Sequence, residues 1–497
     1  MRKNLFHFRE RNPLRWLSHS TNNSLRLPRC DFKPNNYKSK MNLNEIELNR
    51  HKYLNPCLKV LYKKPILLTQ GHMQYVWDSE GQRYLVDMFG GIVTTSIGHC
   101  HPRLVETVQR QSEKLWHVSS LYLTEEINEY SRKLASYFPE PLNCLFFCNS
   151  GSEANDIAIT MARLHTKAFD VIALRNGYHG STLSTMPLCG LGVWKFPFPN
   201  SFGFTHVTNP DPYRGRVGGL HCRDSLVQTN RACDCKDSEN CRAAEYYAEE
   251  FEIVLESTLP KTIAAFFAES IQGVRIYLFV SDDDTIIELI VKQRGGLIVM
   301  DEVQTGFGRT GNNFWGFRSH DIIPDIVTMA KGIGNGFPMA AVITTQEIAN
   351  TLTLASYFNT FGGNPMASAI GSTVLDIIES EKLQHKSKQL GSFLMKNLAR
   401  LRNQYQDIVG DVRGQGLMIG VEMMLNGKSM PKNHIDFILE EFKNMQLIIG
   451  KGGAQANVFR ITPPMCINEE DIEFTIAVIE QAFKNYREWA RKEENQS

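Results

Sequence analysis

The residue with the most chemistry in reach is a lysine at the end of an apolar run. In Pro324-Asp-Ile-Val-Thr-Met-Ala-Lys331-Gly332, Asp325–Met329 reads as a buried strand and Lys331 stands just beyond it. Burying an ammonium group is costly. A lysine there is either a solvated loop residue or an amine kept for reaction with a carbonyl, activated by desolvation and neighbouring charge away from its ordinary pKa near ~10.4. About one strand–crossover–strand unit earlier (~30 residues), Gly296-Leu-Ile-Val-Met-Asp301 ends another apolar run in a carboxylate. Asp301 either caps the next turn or partners a buried cation, such as a protonated pyridine nitrogen.

Two further motifs extend the set. Asn149-Ser150-Gly151-Ser152-Glu153-Ala154 opens a helical pattern. The free N–H groups and dipole of a helix start suit a phosphate, although Ser150 or Ser152 also reads as an ordinary N-cap. Gly177-Tyr178-His179-Gly180 follows the apolar run Phe169–Leu174. Its tyrosine can stack on a flat heteroaromatic ring or pack within a turn. No motif decides alone. A phosphate cradle, a ring stacker, a carboxylate and an imine-forming lysine together describe pyridoxal phosphate (PLP) and little else.

The elements that must position these groups alternate along the chain. Phe169–Leu174, Thr262–Ala268, Gly296–Met300 and Asp325–Met329 have buried-strand length. Between them, Ala154, Ile157, Ala158 and Met161, and then Tyr247, Phe251, Val254 and Leu255, recur at helical spacing. The alternation predicts an α/β fold with a mostly parallel sheet covered on both faces and a ligand beyond the carboxyl ends of its strands. After about residue 365 the pattern changes to a helix over Pro365–Glu381, strand-like Leu417–Met423, Leu447–Ile449 and Val458–Ile461, and helices around Ile435–Phe442 and Ile472–Phe483. This predicts a smaller α+β domain over 365–497, after a large PLP-binding domain over 96–364 and an N-terminal segment, 41–95, that packs with the small domain.

The sequence resembles the class III (omega) aminotransferases of PLP fold type I from about Leu54 to Trp489. The most specific stretch is Asp301-Glu-Val-Gln-Thr-Gly-Phe-Gly-Arg-Thr-Gly311, followed by Pro324–Pro338. The resemblance implies that Lys331 binds the cofactor as an imine and then shuttles the substrate proton, and that Asp301 pairs with the pyridinium nitrogen. It implies that Gln304 bonds the ring hydroxyl, that Val303 and Tyr178 pack on opposite ring faces, and that Gly151 and Ser152 bind the phosphate. Thr360 is expected to reach the phosphate of a neighbouring subunit, in a homodimer or dimer of dimers. Arg460, in Val458-Phe-Arg-Ile-Thr-Pro-Pro464, matches the arginine that grips the substrate carboxylate, a role suited to the guanidinium fork; a structural salt bridge is the alternative.

Three stretches narrow the expectation within the family: Gly90–Thr94 with Gly98–Pro102, the cysteine-bearing insertion Gly218–Cys241, and Asn359–Pro365. They point to members that move nitrogen from L-alanine, and also from β-amino acids, to glyoxylate, giving pyruvate and glycine. A phospho-lyase acting on an amino alcohol phosphate is the alternative on the same scaffold. A catalytically impaired homologue is another, because the glycine- and proline-rich turn that family members carry after Gln272-Gly273 is replaced by Val274–Thr285 with the apolar run Ile276–Val280.

Composition adds little to the function. With 42% hydrophobic and 22% charged residues and a net charge of +1, the chain reads as an ordinary globular protein with small-molecule substrates and no nucleic-acid or membrane partner. Residues 1–40 differ: they are Arg-rich, contain serine and carry only Glu10 and Asp31 as acids, the composition of a mitochondrial transit peptide and hence of a matrix protein. The 11 cysteines read as free thiols. Cys222, Cys233, Cys235 and Cys241 do not match paired C-x₂₋₄-C metal knuckles, so no metal is expected.

Overall fold

A computed structural model describes residues 25–35, 37, 39–197, 202–223, 225–237, 240–272 and 284–495. The altered stretch after Gln272 lies almost wholly outside the described residues, as do the first 24 residues of the basic N-terminal segment.

The central sheet has seven strands: β1 (Cys144–Cys148), β2 (Val171–Leu174), β3 (Phe204–Val207), β4 (Ala265–Glu269), β5 (Leu297–Asp301), β6 (Ile326–Met329) and β7 (Ala340–Thr344). Their spatial order is β1-β7-β6-β5-β4-β2-β3. Only β7 runs against the others, pairing antiparallel with β1 and β6, while β6, β5, β4, β2 and β3 are parallel neighbours. The four strands read from sequence are all present, displaced by one to three residues. β2 starts at Val171 because Phe169 is turned outward beneath the Arg163 guanidinium, 4.0 Å from its ring centre. β4 extends to Glu269, which stands beside Asp301 in register.

Residues β2, β4, β5, β6 and β7 contribute to this sheet are buried throughout. That explains their continuous apolar runs, since both faces are covered. Side chains alternate between two cores. Phe266, Ile298, Met300 and Val327 face the helices Arg242–Thr258 and Asp284–Gln293, meeting Phe251, Leu255 and Val291. Phe267, Val299 and Ile326 face helix α1 (Gly151–Thr166), meeting Ala154, Ile157, Ala158 and Met161. The helical spacing of those four residues is this buried stripe.

Two smaller sheets complete the fold. Val409–Gln415, Met418–Leu425, Val458–Ile461 and Gly450–Gly452 form an antiparallel sheet with the helices Leu383–Gln404, Lys432–Asn444 and Glu469–Glu494 around it. Leu68–His72, Tyr75–Asp78 and Arg83–Asp87 form a second sheet, which sequence periodicity did not disclose. Its last strand pairs in parallel with Leu447–Ile448. Helix Pro365–Ser380 starts with Pro365 at its first turn and the Asn364 side chain accepting from the Ala367 N–H at 3.0 Å. No helix among the described residues is long and apolar enough to cross a membrane.

Residues 25–32 fall inside the stretch expected to be a transit peptide, yet they lie against this body. Leu25, Leu27 and Phe32 pack on the main core, and Phe32 stacks on His72 with ring centres 4.0 Å apart. The Arg83 guanidinium donates to the Pro28 carbonyl at 2.7 Å. Partial burial of three apolar side chains and one hydrogen bond contribute about 2 kcal/mol. A chain beginning at Asn42 is therefore expected to melt a few degrees below one beginning at Leu25. Equal melting curves by circular dichroism would remove any structural role for residues 25–32.

Candidate active site

The parallel strands deliver three of the reactive groups to one edge. β4 ends in Glu269, β5 in Asp301, and β6 runs through Ala330 into Lys331. This is the carboxyl edge where ligands bind in such sheets.

Asp301 is buried, and its charge is met by named donors. Its Oδ2 lies 2.9 Å from Nδ2 of Asn155 and 2.9 Å from Nδ1 of His179, and its Oδ1 accepts from the Val303 N–H at 3.0 Å. Burial alone would lower the pKa of His179, but the hydrogen bond and charge of Asp301, helped by Glu269, outweigh it and raise the imidazole above its ordinary value. His179 Nε2 is buried with no hydrogen-bond partner among the described residues. Asn155, on α1, also donates to the His179 carbonyl at 2.7 Å and accepts from Thr328 Oγ1 at 2.7 Å. One amide thus joins the helix, β6 and the 177–180 loop around the carboxylate.

Lys331 adopts φ +50°, a left-handed conformation that costs a non-glycine residue about 1–3 kcal/mol and persists where surrounding packing imposes it. Its amine makes no hydrogen bond or ion pair among the described residues. Burial, followed by the Arg460 guanidinium, pushes that amine down to about 8, against the opposing pull of Asp301 and Glu269.

The helix start sits beside this pair. A Cβ on Gly151 would come within 3.1 and 3.2 Å of the Val303 methyls and 3.6 Å of the Ala330 methyl, so glycine is what lets α1 begin against both strand ends. Ser150 caps the Glu153 N–H at 3.2 Å, and the first-turn N–H groups of Gly151 and Ser152 precede any intrahelical acceptor. Ser152 Oγ accepts from the Ser181 N–H at 3.3 Å, and a Cβ on Gly180 would lie 2.5 Å from that oxygen. The Tyr178 N–H donates to Glu269 Oε1 at 3.0 Å, and its ring is half-buried, edge-on to Trp194.

Arg460 comes from the antiparallel sheet. It is buried, and its Nη2 donates to Gln304 Oε1 at 2.6 Å while Nε has no hydrogen-bond partner among the described residues. Burial pushes its pKa down to about 10, with Glu269 pulling the other way. Gln304, expected at a ring hydroxyl, has its carbonyl oxygen on Arg460, and its NH₂ end makes no hydrogen bond among the described residues. Thr360 is exposed on the loop before Asn364, and that loop lies beside the helix start, where neighbouring Asn359 bonds Asn149 at 2.9 Å and Glu153 at 3.2 Å.

The sequence matches the family model "Aminotransferase class-III" over residues 59–483. The chain belongs to the class III aminotransferases. It is 46% identical over 468 residues to human mitochondrial alanine–glyoxylate aminotransferase 2, covering 93% of this chain and 90% of that one. An (S)-enantioselective omega-transaminase from Thermomicrobium roseum superposes with a TM-score of 0.79 at 29% identity, over 90% of this chain and all of that one. A phospholyase from Arthrobacter, in complex with phosphoethanolamine, superposes at 0.78 with 27% identity, over 88% and 99% of the two chains.

Class III aminotransferases work with PLP, and this site fits that group. The buried carboxylate of Asp301, the unpartnered Lys331 amine and a helix start opened by Gly151 meet its three chemical demands. When bound, PLP supplies a carbonyl that takes up an amino nitrogen and a ring that draws electrons from the neighbouring carbon. The chain's own groups would then do the rest: Asp301 would hold a proton at a ring nitrogen, the helix start would bind a phosphate, and Lys331 Nζ would move a proton.

The sequence motifs contained His179 but did not mark it as a contact of this cluster, and Asn155 was read only as helix. Polar Asn155, inside the apolar spacing of α1 next to Ala154, Ile157 and Ala158, is the signal that could have found it.

The neutral amine is the nucleophile, so the reactivity of Lys331 should rise with pH through about 8 and level off above it. In protein stripped of cofactor, acetylation of Lys331 by acetic anhydride, read by mass spectrometry, is expected to follow that curve. A midpoint near ~10.4, the value of free lysine, would show that the site does not activate the amine.

Proposed function

We propose that this enzyme transfers the amino group of L-alanine to glyoxylate, giving pyruvate and glycine, and that it accepts β-amino acids as further donors. The observation that carries the reading is Arg460: a buried guanidinium whose Nη2 donates to neutral Gln304 and whose Nε has no hydrogen-bond partner among the described residues. Glu269 acts on this cation without a hydrogen bond to it among those described, which leaves the guanidinium fork able to take a carboxylate. The identity to the human relative, named for alanine and glyoxylate, supports these two acids as its ligands.

In this reading Lys331 is the general base and acid at the substrate α carbon in both half-reactions. Asp301 holds the ring nitrogen protonated, and Arg460 orients the carboxylate that both acids share. Gly151 and Ser152 bind the phosphate, Val303 and Tyr178 bracket the ring, and Gln304 turns its NH₂ end to the ring hydroxyl. Asn155 and His179 position Asp301.

The enzyme acts as a homodimer in the mitochondrial matrix. The basic N-terminus and the mitochondrial location of the human relative named above support the location. Leu121, Leu123, Trp116, Phe358 and Phe361 are exposed on two neighbouring loops, with His117 and Phe361 rings 5.3 Å apart. An apolar patch of this kind supports a subunit contact that covers Thr360 and brings it to the partner's phosphate site.

A spectrophotometric assay tests the reaction. Purified protein loaded with PLP is expected to lose its visible band with L-alanine and regain it with glyoxylate, with ping-pong kinetics. Release of ammonia and phosphate from phosphoethanolamine, with no response to alanine, would replace this reading by a lyase. Arg460→Lys, which keeps the charge and loses the fork, is expected to raise KM for both acids about tenfold or more, the loss of one charge-assisted hydrogen bond. An unchanged KM would remove Arg460 from substrate binding.

A further inference from the structure

The insertion between β3 and helix Arg242–Thr258 has no part in the site above. Its four cysteines stand at Cys222-x₁₀-Cys233-x-Cys235-x₅-Cys241, a spacing that led to the expectation of independent free thiols and no metal. The fold brings them together. The sulfurs of Cys222, Cys233 and Cys235 all lie within 4.8 Å of one another, and Cys222 Sγ is 3.7 Å from Cys235 Sγ. Cys241 packs in the same cluster, beside Ala243 and Tyr247.

We propose that these four cysteines form a structural zinc site. Sulfurs about 2.3 Å from a tetrahedral zinc lie about 3.8 Å apart, which is the Cys222–Cys235 separation. A disulfide requires about 2.05 Å, and every cysteine in the chain is unpaired. Two of the four cysteines stand at a helix start. Cys235 Sγ accepts from the Arg242 N–H at 3.4 Å, and Cys241 occupies the N-cap of helix Arg242–Thr258, where the helix dipole favours negative charge. On binding, four S–H bonds release four protons to solvent and four S–Zn bonds form, leaving a net charge of −2 with no change of oxidation state. All four positions are filled by protein, so the ion holds structure and does no chemistry.

What it holds can be named. Arg223, next to Cys222, is buried and donates from Nη1 to Asp411 Oδ2 at 2.8 Å and from Nη2 to the Val412 carbonyl at 2.9 Å. Those acceptors belong to the antiparallel sheet that carries Arg460. The zinc therefore fixes the loop through which the insertion is tied to that sheet.

The test measures metal on the whole PLP-loaded enzyme. Protein expressed in zinc-supplemented medium and dialysed against EDTA is expected to retain about one zinc per chain by plasma mass spectrometry. Cys222→Ser/Cys235→Ser is expected to retain less than about a tenth of that, with the visible band of bound cofactor showing that the variant folds. Should it not fold, wild-type protein grown with cobalt decides the matter: sulfur-to-cobalt charge-transfer absorption is expected. Absence of that absorption, wild-type protein without stoichiometric metal, zinc kept by the folded double variant, or a disulfide among the four cysteines in non-reducing peptide mapping would each overturn the site.

Discussion

A carboxylate buried at a strand end is the constraint around which the site is arranged. Asp301 cannot keep its charge in the core without donors. The three it has come from α1, from the loop after β2, and from its own turn. Each donor fixes the element that bears it. Asn155 holds α1 against β6 through Thr328, and His179 holds the 177–180 loop over the strand ends. The helix start and the tyrosine loop are therefore where they are because the carboxylate is satisfied there.

Lys331 is the complement of that arrangement. Asp301 has three donors, whereas the lysine amine has no partner among the described residues and its backbone is held in a left-handed conformation. Backbone strain and desolvation both weaken the folded state, and neither is repaid by a contact of the side chain itself. The packing of Gly332 against Ser96, where a Cβ would lie 2.9 Å from the hydroxyl, and of buried Arg309 on the carbonyls of Leu417 and Pro463 supplies rigidity from outside. An amine near neutrality and free to react follows from that imbalance.

The strands and motifs of the parallel sheet were legible in the sequence because burial on both faces produces unbroken apolar runs and because strand ends concentrate chemistry. Lys331, Asp301, Gly151 and Ser152 were singled out from those signals, and the likeness to class III aminotransferases rested most on Asp301–Gly311 and Pro324–Pro338. What the sequence hid was what depends on distant partners. Asn155 and His179 meet Asp301 across 146 and 122 residues. The N-terminal sheet acquires its fourth strand from Leu447–Ile448, a pairing that no local period reveals. The cysteines escaped for the same reason: Cys222 and Cys235 are 13 residues apart and meet only because the insertion folds back.

Arg460 shows how far the site depends on docking between layers. Its strand pairs with Met418–Leu425, yet the guanidinium faces Gln304 of the parallel-sheet domain, with its carbon 5.5 Å from the centre of the Phe89 ring. Phe89 is set by contacts that leave no slack. A Cβ on Gly450 would lie 2.1 Å from the ring, one on Gly90 would lie 2.7 Å from the Thr462 carbonyl, and the Thr462 N–H donates to Met88. Gly90 itself has φ +55°, a conformation that glycine adopts without the strain of a side chain. The direction of the guanidinium is thus set by three layers at once. A shift of any one moves the cation relative to Lys331, and reaction geometry tolerates displacements of only a fraction of an ångström. The N-terminal sheet contributes none of the reacting groups, and its contacts with Arg460's strand still bear on how the substrate is aimed.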